Sequence, residues 1–410
     1  MTRQLLDTLG GWLPDLTDIR RAIHAWPELA FQEIRTADTV TRLLESWGIE
    51  IHRGLGETGV VGRITGRGPG RSIGLRADMD ALPMPENNTF PHASRNPGAM
   101  HACGHDGHTA MLLAAARYLA GHRDFDGTVY VIFQPAEEAG GGAHRMIEDG
   151  LFAQFPMDAV FGMHNWPGLP AGTFGLTDGP IMASSSTFEI TLRGRGAHGA
   201  MPHLGVDPVV AAAQLTLAFQ TILTRNLDPL ESGVISVTQI HAGSADNVIP
   251  DQAVIRGTVR TLTQGTLDLI ETRMRDLTGP LAQALRCEAD FHFHREYPAT
   301  INHPEQAALC AQVMTELVGA DRVNAQVQPS MGAEDFAFML QALPGCYVWI
   351  GNGTGDHRTT GHGLGPCTLH NGSYDFNDEI IPLGAAYWVL LSQRFLDQGL
   401  PARIRTSRSP

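Results

Sequence analysis

Lysine is absent from this chain. All 29 residues counted as Lys or Arg are arginine. That excludes every mechanism built on a Schiff-base lysine, pyridoxal chemistry included. It also excludes a Walker A phosphate loop, which needs its Lys. Cysteine is scarce, with five residues scattered at Cys103, Cys287, Cys310, Cys346 and Cys367. An odd, dispersed set is no disulfide framework, so reduced thiols and a cytoplasmic location are expected. No apolar run reaches the ~20 residues of a membrane helix. The N-terminal MTRQLLDTLGGWLPD meets Gly, Pro and Asp too early for a signal peptide. Positive charge is also short. The formal net charge is -14, which argues against nucleic acid or an anionic membrane as partner.

What remains is an ordinary globular composition of 410 residues, 43% hydrophobic and 18% charged. At roughly 150 residues per domain, two to three domains are expected. Residues 15–48 read as helical up to Gly48. Short apolar runs then alternate with helical stretches: a strand from Ser72 to Leu75, a buried helix in HTAMLLAAARYLA, a strand from Thr128 to Phe133, a helix in AHRMIEDGLF and a strand in DAVFGMHNW. This rhythm predicts an α/β sheet flanked by helices. Near residue 184 it changes. STFEITLRGRG, GVISVTQIHAG, QAVIRGTVRTL and EADFHFHREY alternate like half-exposed strands and are interleaved with two long helices. The expected organisation is an α/β catalytic domain over 1–183 and 297–400, an inserted four-strand, two-helix α+β domain over 184–296, and a disordered tail at 401–410.

Four places concentrate chemistry. MHACGHDGHTAML carries His101, Cys103, His105, Asp106 and His108 just before a helix. One such residue is commonly a helix-entry or capping group, but this density is that of a metal site, and Cys103 and His105 can converge on one ion. Glu137 and Glu138 follow a strand directly. Adjacent carboxylates repel unless a cation compensates them, and one can coordinate while the other stays free as a base. His164 and His370 stand in GMHNW and TLHNGSYDF; alone, either reads as a structural histidine. Asp78 and Asp80 also follow a strand, as ligands or as carboxylates that orient one. The inventory exceeds one tetrahedral site and fits two divalent ions, with donors that suit Zn, Ni, Co or Mn rather than Mg or Ca.

Taken in order, HAWPELAFQE, RADMDALP, HACGHDGHTAML, FQPAEEAGGGA, MHNWPGLPAG, GRGAHGAMPHLGVDP, ADNVIPD, MGAEDF and LHNGSYDFND resemble the M20 metallo-amidohydrolases. The likeness is to the branch of hippurate hydrolases, N-acyl-amino-acid amidohydrolases and auxin-conjugate hydrolases, from about residue 20 to 395. It implies a dinuclear site with Cys103, His105, Glu138, His164 and His370 as ligands, Glu137 as general base and Asp80 as supporting acid. It implies further that the inserted domain dimerises and closes over the site. His198 would then polarise the substrate carbonyl from the partner subunit, and Asn247 would contact the substrate. The wider superfamily has His-x-Asp where this chain has Asp78-Met79-Asp80, and an Asp bridge where it has Cys103 and His105. The expected reaction is hydrolysis of the amide of an N-acyl amino acid, with a di- or exopeptidase as the alternative. The leaving amino acid carries a carboxylate, for which Arg260, ahead of Arg256, is the candidate partner. A metal-holding protein without turnover is disfavoured because Glu137 is kept. A mononuclear iron oxygenase explains neither Cys103 nor the Glu pair.

Overall fold

The computed structural model of the chain describes residues 2–398; the tail at 401–410, expected to be disordered, lies outside them. Helices α1 (Thr2–Gly11), α2 (Leu13–His24) and α3 (Ile34–Ser46) come first, then strands β1 (Glu50–Leu55), β2 (Gly59–Thr65) and β3 (Ser72–Asp78). They are followed by α4 (His105–Gly121), β4 (Thr128–Gln134), α5 (Gly142–Glu148), β5 (Ala159–Pro167) and β6 (Phe174–Gly175). The middle of the chain carries β7 (Ser185–Arg193), α6 (Pro208–Arg225), β8 (Gly233–Ala242), β9 (Gln252–Thr261), α7 (Gln264–Ala284) and β10 (Glu288–Tyr297). Last come α8 (Pro304–Val318), β11 (Val323–Asn324), β12 (Gly345–Gly353) and α9 (Ile381–Asp397).

Two compact units result. Among the described residues, one holds 2–179 with 301–328 and 338–398; the other holds 180–300 with 329–337. The sequence expectation kept 329–337 with the catalytic domain. In the structure this stretch joins the inserted unit, where Ala183 donates its N–H to the carbonyls of Ser330 and Gly332.

The larger unit is built on an eight-stranded mixed sheet in the order β1-β2-β4-β3-β5-β12-β6-β11. Its middle strands β4, β3, β5 and β12 run parallel. Buried nearly throughout, β3 and β4 read as continuous apolar runs rather than alternating ones. The core beneath them joins Ile73, Leu75, Val129, Val131 and Phe161 to Met111, Leu112 and Ala115 of α4 and to Trp388 and Leu391 of α9. Two features depart from expectation. The helix read over 15–48 is broken into α2 and α3, because Pro27 disfavours a helical Trp26 and cannot donate to a helix itself. The stretch between Gly48 and Ser72, where no strand was expected, forms the antiparallel pair β1–β2.

In the smaller unit a four-stranded antiparallel sheet, β8-β9-β7-β10, is covered on one side by α6 and α7. Phe188, Ile190 and Leu192 of β7 face Leu215, Phe219, Ile270 and Met274, while Glu189 and Thr191 between them stay partly in water. This is the half-exposed alternation that the sequence shows.

Candidate metal centre

The catalytic candidates of the larger unit meet at the carboxyl ends of β3, β4 and β5, where open α/β sheets bind their ligands. Asp78 ends β3, the Glu137–Glu138 pair follows β4, and His164 lies in the second half of β5. Cys103 precedes α4, and His105 is its first residue. His370 arrives from the loop after β12, in a left-handed conformation (φ 58°) and with its N–H donated to the carbonyl of Ala102.

Cys103 Sγ stands 3.2 Å from His164 Nε2, and His370 Nε2 stands 3.3 Å from Glu138 Oε1. Cys103, His105 and His164 form one group of donors within 4.8 Å of one another; Cys103, Glu138 and His370 form a second, and His105, Glu137 and Glu138 a third. Ligands of one tetrahedral ion, bound at 2.0–2.3 Å, lie roughly 3.3–3.8 Å apart. All five residues expected as ligands are therefore brought together, with Glu137 among them.

Hydrogen bonds fix how these groups point. His164 Nδ1 donates to the carbonyl of Asn165 at 2.6 Å, leaving its Nε2 lone pair toward Cys103. His105 Nδ1 donates to the carbonyl of Asp80 at 2.9 Å. Its Nε2, fully buried, has no hydrogen-bond partner among the described residues, and the nearest oxygens of Asp78, Glu137 and Glu138 stand at 3.7, 3.9 and 3.9 Å. A buried imidazole nitrogen facing carboxylates without a hydrogen bond is unsatisfied as a protein group, and a cation can take the place of its proton. Asp80, expected as the supporting acid, accepts the N–H groups of Glu137 and Glu138, each at 3.0 Å.

The rest of the CGHDGH cluster divides into supporting roles. His108 Nε2 accepts the N–H of Asn165 at 2.9 Å, so its Nδ1 donates to Asp78 at 2.6 Å. Arg76 Nη1 donates to the other Asp78 oxygen at 2.7 Å. Asp106 turns away, to His24 at 2.9 Å and Arg20 at 3.4 Å. His101 is buried, with neither ring nitrogen hydrogen-bonded, and belongs to none of the ligand groups.

The electrostatics express the same surplus of negative charge. Burial alone would lower the pKa of His105, but Asp78, Asp80 and Glu138 outweigh it and raise it to about 10. Burial pushes the Cys103 thiol well above its ordinary value, and Glu138 and Glu137 push it further. Divalent cations reverse both effects: they hold a coordinating thiol deprotonated and neutralise the carboxylates. The donor set fits two such ions.

The smaller unit holds the other candidates. His198 and Val248 are partners in a two-residue antiparallel ladder, and Gly199 donates its N–H to the carbonyl of Asn247 at 2.7 Å, so His198 and Asn247 are neighbours. The His198 side chain is exposed, with Nδ1 accepting the Ala200 N–H at 3.1 Å. Arg260 lies on β9, half-buried, and has no ion-pair partner among the described residues; burial lowers its pKa against the opposing field of Glu296. Arg256, on the same strand, is held by Glu189 at 2.6 Å.

Residues 74–394 match the model of peptidase family M20/M25/M40. This chain belongs to that family. It is 40% identical to the hippurate hydrolase of Campylobacter jejuni over 393 residues, 96% of this chain and 98% of that one. It is 39% identical to an N-acetyl-L-cysteine deacetylase of Bacillus subtilis, over 95% of this chain and 90% of that one. Among solved structures, a dinuclear metal-binding peptidase of the M20 family from Bacillus subtilis superposes with a TM-score of 0.81 at 34% identity, covering 95% of this chain and 99% of that one. Like that neighbour, this M20 chain has a mixed α/β architecture, and no helix among its described residues is long and apolar enough to cross a membrane.

Three contributors to the M20 site were not singled out from sequence. Asn165 Nδ2 donates to the carbonyl of Cys103 at 2.6 Å, and Tyr374 donates to Asn165 Oδ1 at 2.7 Å. Glu33 accepts the N–H of Ala136, the residue before Glu137, at 2.9 Å. Asn165 and Glu33 act on backbone groups and Tyr374 acts through Asn165, so none leaves a spacing pattern to read. The one available signal is a polar residue inside a stretch that must be buried.

Proposed function

We propose that this chain hydrolyses the amide bond of N-acyl amino acids, releasing a carboxylic acid and a free amino acid. The observation that carries the reading is a constellation in which the buried Cys103, His105 and His164, the half-buried Glu138 and the exposed His370 can share two cations while a second carboxylate, Glu137, stands beside them. The names of the hippurate hydrolase and N-acetyl-L-cysteine deacetylase relatives support this substrate class.

Cys103, His105, Glu138, His164 and His370 would hold the two ions. Mn, Zn, Ni or Co suits these donors. When bound, the ions supply Lewis acidity and bring the pKa of water from 15.7 to about 7. Glu137 takes the proton of the attacking water on its carboxylate and passes it to the amide nitrogen as the amine leaves. Asp80, Asp78 and His108 keep the surrounding groups in orientation. Arg260 receives the carboxylate of the amino acid, and Asn247 contacts the substrate. His198 polarises the scissile carbonyl from the partner subunit of a homodimer formed through the inserted unit.

One panel tests the reaction. Purified protein loaded with Mn2+, Zn2+, Ni2+ or Co2+ is offered N-acetyl, N-benzoyl and indole-acyl amino acids and dipeptides, and free amine is followed. Acyl amino acids should be cleaved, chelation should abolish turnover, and added ion should restore it. Faster cleavage of dipeptides would favour the peptidase alternative, and full activity in metal-free protein would sink the mechanism. A second experiment tests the trans role of His198. Inactive His198→Ala and Glu137→Gln subunits are mixed, which creates one site with both residues intact. Recovered activity is expected; demonstrated mixed dimers without it would rule the arrangement out.

A further inference from the structure

Glu33 is fully buried in the loop that separates α2 from α3. It has no arginine or histidine partner among the described residues. Burial raises its pKa to about 7, against the hydrogen bonds of Thr58 and Ala136. A lone buried carboxylate is costly to keep, and an apolar side chain would pack the same volume at less cost. The contacts it makes point to what it is kept for.

Its Oε1 accepts two backbone N–H groups, from Phe31 at 3.1 Å and from Ala136 at 2.9 Å. Its Oε2 accepts the Thr58 hydroxyl at 2.6 Å. Phe31 (φ 61°) and Ala136 (φ 54°) both adopt the left-handed conformation, as do only three other non-glycine residues in the described chain. A left-handed Ala persists only where its surroundings over-determine it. Here the other side of the turn is held by the Gly142 N–H, donated to the Ala136 carbonyl at 3.0 Å. The Phe31 ring lies so close to Gly140 that a Cβ there would stand 2.5 Å from it. With Asp80 taking the N–H groups of Glu137 and Glu138, the three successive N–H groups of residues 136–138 all end on buried carboxylates.

We propose that Glu33 is a positioning residue, whose Oε1 locks the left-handed Ala136 and thereby sets where the Glu137 and Glu138 carboxylates stand. The inference rests on the hydrolytic reading for its consequence in turnover, but the hold on the turn is a property of the chain alone. A neutral glutamine can offer its oxygen to the same two N–H groups and its amide to the Thr58 oxygen, whereas alanine offers nothing.

The test compares Glu33→Ala, Glu33→Gln and the milder Thr58→Val with wild type in three measurements. Amide hydrogen exchange of residues 134–139 is read in chelator-treated protein. Co2+ binding is read by its visible absorption, and kcat and KM are read on the best substrate of the panel. Glu33→Ala should speed exchange of that segment about 10-fold or more, the cost of leaving a buried N–H without its acceptor. It should weaken Co2+ binding and lower kcat by about 10²-fold, the scale of a 1 Å misplacement, with KM held within about 3-fold. Glu33→Gln should stay within about 3-fold of wild type throughout, and Thr58→Val should speed exchange by less than Glu33→Ala. If Glu33→Ala does not fold, Thr58→Val carries the comparison, and unchanged exchange and kcat there would overturn the proposal. Glu33→Gln losing as much as Glu33→Ala would overturn it too, since charge rather than hydrogen-bond geometry would then matter. So would faster exchange with unchanged kcat, which leaves a role in stability alone. A wild-type protein that cleaves nothing in the panel sinks the hydrolytic reading, while exchange and Co2+ binding still decide whether Glu33 sets the turn.

Discussion

The two units of the chain differ in how they place their charge pairs. The larger unit has surface pairs such as Arg53 with Asp38, but it also buries a network. Arg20, fully buried, reaches Asp375 at 2.9 Å, Asp378 at 2.7 Å and Asp106 at 3.4 Å. His24 bridges Asp106 and Glu86 at 2.9 and 3.2 Å, and Arg76 holds Asp78. In the smaller unit the pairs stay in water, as in Arg256 with Glu189, Arg193 with Asp290 and Arg295 with Glu271. Desolvated charges cost free energy unless each is matched in place, so a buried network has essentially one low-energy arrangement. Exposed pairs are worth little and can be rearranged. The difference says where preorganisation lies. The groups around Cys103–His108 are held in one arrangement by buried contacts, while His198 and Asn247 sit at an exposed two-residue ladder.

The sharpest way to test that division is the glutamate pair itself. Glu137→Gln keeps shape and cannot accept a proton. A general base is worth ~10²–10⁴ in kcat, so a loss of that size with metal content retained is expected, measured by turnover and by metal analysis. Glu138→Gln should instead lower metal occupancy. An exchange of the two phenotypes would reverse the assignment.

The buried network comes next. Arg20→Met leaves Asp106, Asp375 and Asp378 without their shared cation, and breaking such a network costs about 3–5 kcal/mol. A large fall in Tm is expected by calorimetry; a change under about 1 kcal/mol would show that the network is not what holds this region. The same network makes stability depend on pH. Burial opposes protonation of His24, yet Asp106 and Glu86 outweigh it and raise its pKa to about 10. A raised histidine stabilises the fold fully below the unfolded value of about 6.5 and loses that contribution as pH rises toward 10. Wild type should therefore lose stability from pH 6.5 to 10, and His24→Gln should flatten that decline.

Much of this was legible in the sequence because buried parallel strands and metal donors both leave local marks. The runs ending at Asp78 and Gln134, and the packing of His101 to His108 into eight residues, announce strand ends and a cluster of candidate metal donors without a structure. The switch to alternating strands near residue 184 likewise announces the second fold. What was not legible depends on contacts between distant segments. Nothing local tells that His105 keeps a ring nitrogen open for an ion while His108 orients Asp78, because the distinction is the N–H of Asn165. Nothing local ties Glu33 to Ala136, 103 residues away in the chain. In the β1–β2 pair, the partly exposed edge strand IHRGL lacks the apolar signal of the central strands, whereas GVVGRIT carries a short apolar run.

The smallest expected effects separate two arginines on one strand of the exposed unit. Arg260 and Arg256 lie four residues apart on β9, so alternation places both on the same face. Their surroundings differ. Arg256 is bound to Glu189 at the surface, a pair on β9 and β7 directly opposite each other in register. Arg260 is half-buried and has no ion-pair partner among the described residues. A guanidinium already paired in water gains little from a second carboxylate, whereas one that is partly desolvated and unpaired gains a charge-assisted hydrogen bond. Removing such a bond costs about 1.5–3 kcal/mol, so Arg260→Ala should raise KM for the acyl amino acid by about 10- to 100-fold with a smaller change in kcat. Arg256→Ala should change KM less than about 2-fold and stability by at most about 1 kcal/mol, the range for an exposed pair. Substrates whose carboxylate is converted to an amide sharpen the comparison, since they should bind wild type and Arg260→Ala alike. A rise in KM at Arg256 rather than Arg260 would move the carboxylate site along the strand, and no change at either would remove this face of β9 from substrate binding.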